Sequence, residues 1–262
     1  MVYGMKRSAV LLLLFVCFLL CGGEGTVRIA DTLGDTVIRS LAVQLALSGS
    51  PVSCSQERVT PEKAFAGLQQ GEYDLVVAFR SVVPEALLAQ CRDYAVDAAM
   101  ISVNAKNPKE NFTFRELAEA FSGWRRSWLT YNGTDFQIHL MRLPEDASAV
   151  RIFREKVMGK RSFAPVFERK NTMELLQLTA LNENALVLSG RPDVELSTSV
   201  KAVSVNGIYP SLANVKNGRY PLSERRVVVT GKNPSGNVQR LLSALFAAET
   251  GGVIAEHGLI QP

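Results

Sequence analysis

Apolar residues run along the chain in two rhythms. Compact runs such as VRIA at 27–30, YDLVVAF at 73–79, ALVLSG at 185–190 and RRVVVTGK at 225–232 are too short for helices and mostly rich in β-branched residues, so they predict buried strands. Between them, Val37, Ile38, Leu41 and Leu45, and later Val238, Leu241, Leu242, Leu245 and Phe246, repeat at the spacing of one helical face. Further strands are expected at 51–55 and in FQIHLMRL at 136–143, and further helices in PEALLAQC at 84–91, through 148–158 and in NTMELLQLTAL at 171–181. Thr60 before Pro61 marks a helix start, because proline has no N–H to leave unsatisfied there. Thr113 and Glu116 have the spacing of a capping box, and Gly123 supplies the stop.

Strands alternating with helices define an α/β protein whose sheets are largely parallel and flanked by helices. Two long extended segments, AVDAAMISVN at 95–104 and VKAVSVNGIYPS at 200–211, are long enough to pass between separate cores. They predict two lobes, residues 26–104 plus 201–262 and residues 105–200, with a ligand cleft where the chain crosses.

The first 25 residues stand apart. Lys6 and Arg7 precede an apolar run at 9–20, and CGGEG follows, which is the layout of a cleaved secretory signal. The run falls short of the roughly 20 residues that span a bilayer. Cys21 in FLLCGG leaves a second outcome open, in which that cysteine becomes a lipid anchor, although Leu20 is a poor fit before it. Losing Lys6, Arg7 and Glu24 takes the net charge from +4 to +3, too small an excess to demand a nucleic acid partner. Cys54 and Cys91 then remain, and export makes either a disulfide or two buried thiols a reasonable reading. His139 and His257 are the only histidines, so neither a metal centre nor a nucleophile–histidine–acid set can be assembled, and no cofactor is expected. Trp124 and Trp128, beside Arg125 and Arg126, are read as packing residues.

NPKENFTFRELAEAFSGWRRSW at 107–128, GRYPLSERRVVVTGK at 218–232 and the ending LLSALFAAETGGVIAEHGLIQP resemble the phosphate-type periplasmic solute-binding proteins of ATP-binding-cassette (ABC) uptake systems. The resemblance spans nearly the whole chain after the signal. It implies the two-lobed periplasmic-binding-protein-like fold, a monomeric extracytoplasmic protein, a small anion such as phosphate as ligand, and a membrane permease as partner. Its ligand loops are carried over here with changes. Gly34, Asp35 and Thr36 keep the acid and threonine of the first loop without its serine. Arg80 keeps the arginine after the YDLVVAF strand, but Phe79 replaces a hydroxyl. Arg142 matches the third-loop arginine, whereas the Ser-Gly-Thr that should open the next helix falls on Ala147, Ser148 and Ala149, preceded by Glu145 and Asp146.

A buried phosphate needs many donors, so these losses matter. Asp146 can cap the helix, and Asp146 or Glu145 can neutralise Arg142. The reading is therefore a phosphate or small-anion receptor using Gly34, Asp35, Thr36, Arg80, Arg142 and Ser148. The alternative is an accessory, sensory or scaffold protein of the same fold with a degenerate site. A hydrolase built on Ser148 or Ser189 is the weakest reading, so no enzymatic activity is expected.

Overall fold

The computed structural model describes residues 25–191 and 198–262, which fall into two compact units. The stretch expected to be a secretory signal lies, up to residue 24 and with Cys21 included, outside the described residues. In chain order the strands are β1 (Val27–Asp31), β2 (Cys54–Arg58), β3 (Leu75–Phe79), β4 (Cys91–Asn104), β5 (Asn111–Phe112), β6 (His139–Arg142), β7 (Phe167–Glu168), β8 (Ala185–Gly190), β9 (Val200–Ala202), β10 (Ser204–Val205) and β11 (Ser223–Thr230). The α-helices are α1 (Val37–Leu47), α2 (Pro61–Gln70), α3 (Phe114–Phe121), α4 (Leu129–Asn132), α5 (Ser148–Phe153), α6 (Thr172–Ala180), α7 (Leu212–Lys216), α8 (Gly236–Leu245) and α9 (Gly251–Glu256). The fold is thus mixed α/β, as the alternating pattern predicts.

The first unit takes residues 25–77, Pro84–Cys91 and Val228–Thr250. Its strands β2, β1 and β3 lie side by side and parallel, with Val27 opposite Cys54 and Ile29 opposite Leu75. Strand β3 is buried at every residue, which explains its unbroken apolar run. Edge strand β2 begins later than the 51–55 expected. Its sequence CSQER is mostly exposed, so no apolar pattern announces it. Thr60 caps α2 as expected, accepting from the Lys63 amide, and α1 packs on α8.

The second unit takes Ala78–Val83, Arg92–Val227 and Gly251–Pro262. Strand β4 pairs antiparallel with β8 and β9, while β6 runs parallel to both β8 and β7. Residues 136–138 do not join the sheet as expected. The Phe136 carbonyl accepts from Trp128 N, and Ile138 N donates to the Arg126 carbonyl, so the strand shortens to His139–Arg142. In the first unit, the expected helix at 84–91 tightens to a 3₁₀ turn, Glu85–Gln90. Phe121 stacks edge-on against Phe153 at 4.9 Å between centroids, tying α3 to α5. Trp128 is fully buried beside Phe112 and Tyr131, as packing predicts. Trp124 is instead 73% exposed, with the Arg125 guanidinium over its ring.

Candidate anion site

The first loop, between β1 and α1, is organised by a residue that sequence reasoning passed over. Asp31 is buried, and its Oδ1 accepts from the amides of Leu33 at 2.7 Å and Gly34 at 2.9 Å. Its Oδ2 accepts from the Asp35 amide at 2.8 Å and from Gln56 Nε2 at 2.9 Å. Backbone amides converging in this way are what an anion loop offers a ligand, and here the chain's own carboxylate receives them. Gly34 makes the turn possible with φ of 71°, in the left-handed region where a side chain is disfavoured. Asp35 is buried and caps α1, its Oδ1 accepting from Val37 N at 2.8 Å. Thr36 is exposed at the helix start and its hydroxyl makes no capping bond, so the side-chain cap of this helix comes from Asp35.

The two arginines carried over from the resemblance are both ion-paired. Arg80 opens a 3₁₀ turn after β3 and donates to Asp93 Oδ1 at 2.6 Å, while Asp93 Oδ2 accepts from Arg225 at 2.8 Å. Phe79 is buried, with the Arg151 guanidinium 5.8 Å from its ring centre. Arg142 ends β6 and is buried. The parallel β6–β7 register sets it opposite Glu168, whose Oε1 lies 2.7 Å from Nη2, and Glu145 Oε2 lies 3.0 Å from the same nitrogen. Nη1 donates to the Leu143 carbonyl at 3.0 Å, and Nε has no hydrogen-bond partner among the described residues. The guanidinium rests 4.7 Å from the centre of the Phe163 ring, which Arg154 approaches to 4.8 Å. Glu145 also pairs with Arg154. The cavity here, about 520 Å³, is lined by two arginines and two glutamates, so its charges balance internally.

Ser148 belongs to a different cavity of the second unit, about 490 Å³ and within the usual range for small-molecule sites. Helix α5 starts there after Ala147, which supplies no side-chain cap, and Asp146 stands one residue earlier on the exposed face. Lys170, Thr172, Arg191, Glu256 and His257 share the wall with Ser148. Thr172 begins α6, capped by Asn171, whose Oδ1 accepts from Glu174 N at 3.0 Å. Asp97 also lines the cavity, but it is buried against Arg226, whose Nη2 donates to it at 2.5 Å. Sequence reasoning missed Lys170, Thr172 and Arg191, which lie in an irregular connection, at a helix start and at a strand end, with no motif to mark them.

Of the expected ligand residues, Gly34, Asp35 and Thr36 form one loop of the first unit; within the second unit Arg80 pairs with Asp93, Arg142 lines the cavity it shares with Glu145 and Glu168, and Ser148 lines the other cavity. Ser189 is buried, with its hydroxyl donated to the Gly190 carbonyl at 3.0 Å. Cys54 and Cys91 are thiols rather than a disulfide, and burial pushes the Cys54 thiol up to about 11.

Loops leaving parallel strands for helix starts, with a cavity at one of them, make this a ligand-binding type of α/β fold. Residues 30–249 match the family model described as PBP superfamily domain, and the chain belongs to that family. It is 17% identical to the phosphate-binding protein PstS of Borreliella burgdorferi, over 98% of this chain and 99% of that one. An ABC-type phosphate transport receptor from Vibrio cholerae superposes with a TM-score of 0.74 at 19% identity, covering 90% of this chain and all of that one. A possible phosphate binding protein from Planctomyces limnophilus superposes at 0.82 with 20% identity, covering 92% and 94%. These likenesses establish the shared fold.

Proposed function

We infer that the protein is the extracytoplasmic solute-binding component of a phosphate-type ABC uptake system, binding phosphate or another small anion without covalent chemistry and passing it to a membrane permease. The observation that carries this reading is the 490 Å³ cavity at Ser148, built on the third loop of a fold whose relatives are named for phosphate binding. In the same reading residues 1–25 direct export, Cys21 is the residue that would hold a lipid, and residues 26–104 with 201–262 act as one lobe and 105–200 as the other. Among the described residues no helix is long and apolar enough to cross a membrane. No hydrolytic step is proposed, since the Ser189 hydroxyl is buried and spent on a backbone carbonyl.

The test is isothermal titration calorimetry of the purified protein with inorganic phosphate, with sulfate as comparison. Binding at micromolar concentration supports the receptor reading. A second reading, a non-transport protein of the same fold, is favoured by the occupancy of Arg142 by Glu145 and Glu168 and of the first-loop amides by Asp31. Silence up to millimolar phosphate and sulfate would select it.

A further inference from the structure

Arginines draw attention as anion ligands, but the charge balance of the two cavities points elsewhere. At Arg142 an incoming anion must displace Glu168 at 2.7 Å and Glu145 at 3.0 Å, breaking contacts of the same kind as those it would make. The exchange is near balance, because a charge-assisted hydrogen bond is lost for each one gained. The Ser148 cavity differs. Among the described residues neither Lys170 nor Arg191 is ion-paired, so an anion arriving there has no described ion pair to break. Its uncompensated carboxylate is Glu256, which is exposed and well hydrated, while the charge of Asp97 is matched by Arg226. Two cations thus stand against one solvated acid. The start of α6, nine residues long, adds the positive end of its dipole, and Ser148 and Thr172 add hydroxyls.

We propose that the solute is a small oxyanion held in the Ser148 cavity by Lys170 and Arg191, with Ser148 and Thr172 completing its hydrogen bonds, and that Arg142 is a wall residue of the neighbouring cavity. This rests on the receptor reading above and names the site that reading uses. Lys170 is exposed and Arg191 half-buried, so truncating either leaves the core intact.

The experiment is phosphate titration by calorimetry of the wild type, Lys170→Ala, Arg191→Ala and Lys216→Ala, each first checked for an unchanged melting temperature. Lys216 is an exposed lysine of the same unit that lies outside the cavity, so its variant controls for net charge. The expected result is a loss of about tenfold or more in affinity for each cavity variant, the scale of one charge-assisted contact, and less than twofold for Lys216→Ala. Wild-type binding that survives both cavity truncations, or falls equally in all three variants, overturns this inference and leaves the receptor reading standing. A wild type that binds neither phosphate nor sulfate overturns both.

Discussion

Asp31 shows how a single side chain can decide what a loop is able to bind. Leu33 and Asp35 are buried, so their amides have no ready access to water when this carboxylate is removed, whereas the exposed Gly34 can turn to water. Asp31→Ala should therefore lower stability by about 2–4 kcal/mol, the cost of two buried donors left unsatisfied, as read from urea unfolding. Asp31→Asn keeps an acceptor oxygen and should lose less. A loss below 0.5 kcal/mol for the alanine variant, well under that of one ~1 kcal/mol hydrogen bond, would show that the loop rearranges to find other acceptors. Cys54 carries a second residue-level consequence. With its thiol pushed up to about 11 by burial, it is protonated at neutral pH, and only the thiolate reacts. Its alkylation by iodoacetamide, followed by peptide mass spectrometry, should speed up about tenfold per pH unit through pH 10. A plateau near the ordinary thiol value would contradict the burial.

Among the elements, α3 shows what a sequence can announce about itself. Thr113 and Glu116 form the expected capping box, with Glu116 Oε2 accepting from Thr113 N at 2.7 Å and Thr113 Oγ1 accepting from Glu116 N at 3.2 Å. Burial of Glu116 favours its neutral form, but the Lys109 ammonium at 2.7 Å and the two Thr113 donors outweigh it and lower its pKa. A carboxylate lowered in the folded state contributes stability that is present above its unfolded value and is lost as pH falls through the folded one. The α3 amides should therefore exchange faster as pH drops below the ordinary glutamate range, after correction for intrinsic rates. In Glu116→Gln that acid dependence should shrink, though not disappear, because Glu119 on the same helix is itself lowered by Arg115 and Arg125, while the cap survives in part; equal acid sensitivity in both proteins would remove Glu116 as a source. Such caps were legible because they are local in sequence, as were the buried runs that became β3 and β8. Strand β7 was not legible, being a two-residue exposed strand at Phe167–Glu168. Its partnership with β6 is what brings Glu168 to Arg142, a contact across 26 positions that no local pattern encodes. Glu145, three residues from Arg142, was within reach of sequence reasoning and does pair with it.

At the scale of the whole molecule, the candidate site was legible as a set of loops but not as a set of contacts. The resemblance located the turn after β1, the turn after β3 and the start of α5. Whether each turn faces a solute or its own carboxylates depends on how side chains are aimed, some as near in sequence as Asp31 to Leu33 and some as far as Glu168 from Arg142. A solute held as proposed should stabilise the molecule unevenly. Saturation at about 100 times the dissociation constant adds roughly 2.7 kcal/mol to any unfolding that releases the ligand, and nothing to local openings that do not. Hydrogen exchange with and without phosphate should therefore slow at the cavity wall, around residues 147–149, 172–173, 190–191 and 257–259. The amides of Leu33, Gly34 and Asp35 already have Asp31 as acceptor and should exchange at the same rate in both conditions. Protection at 33–35 with none at the wall would mean that phosphate displaces the Asp31 carboxylate and is held by the first loop instead.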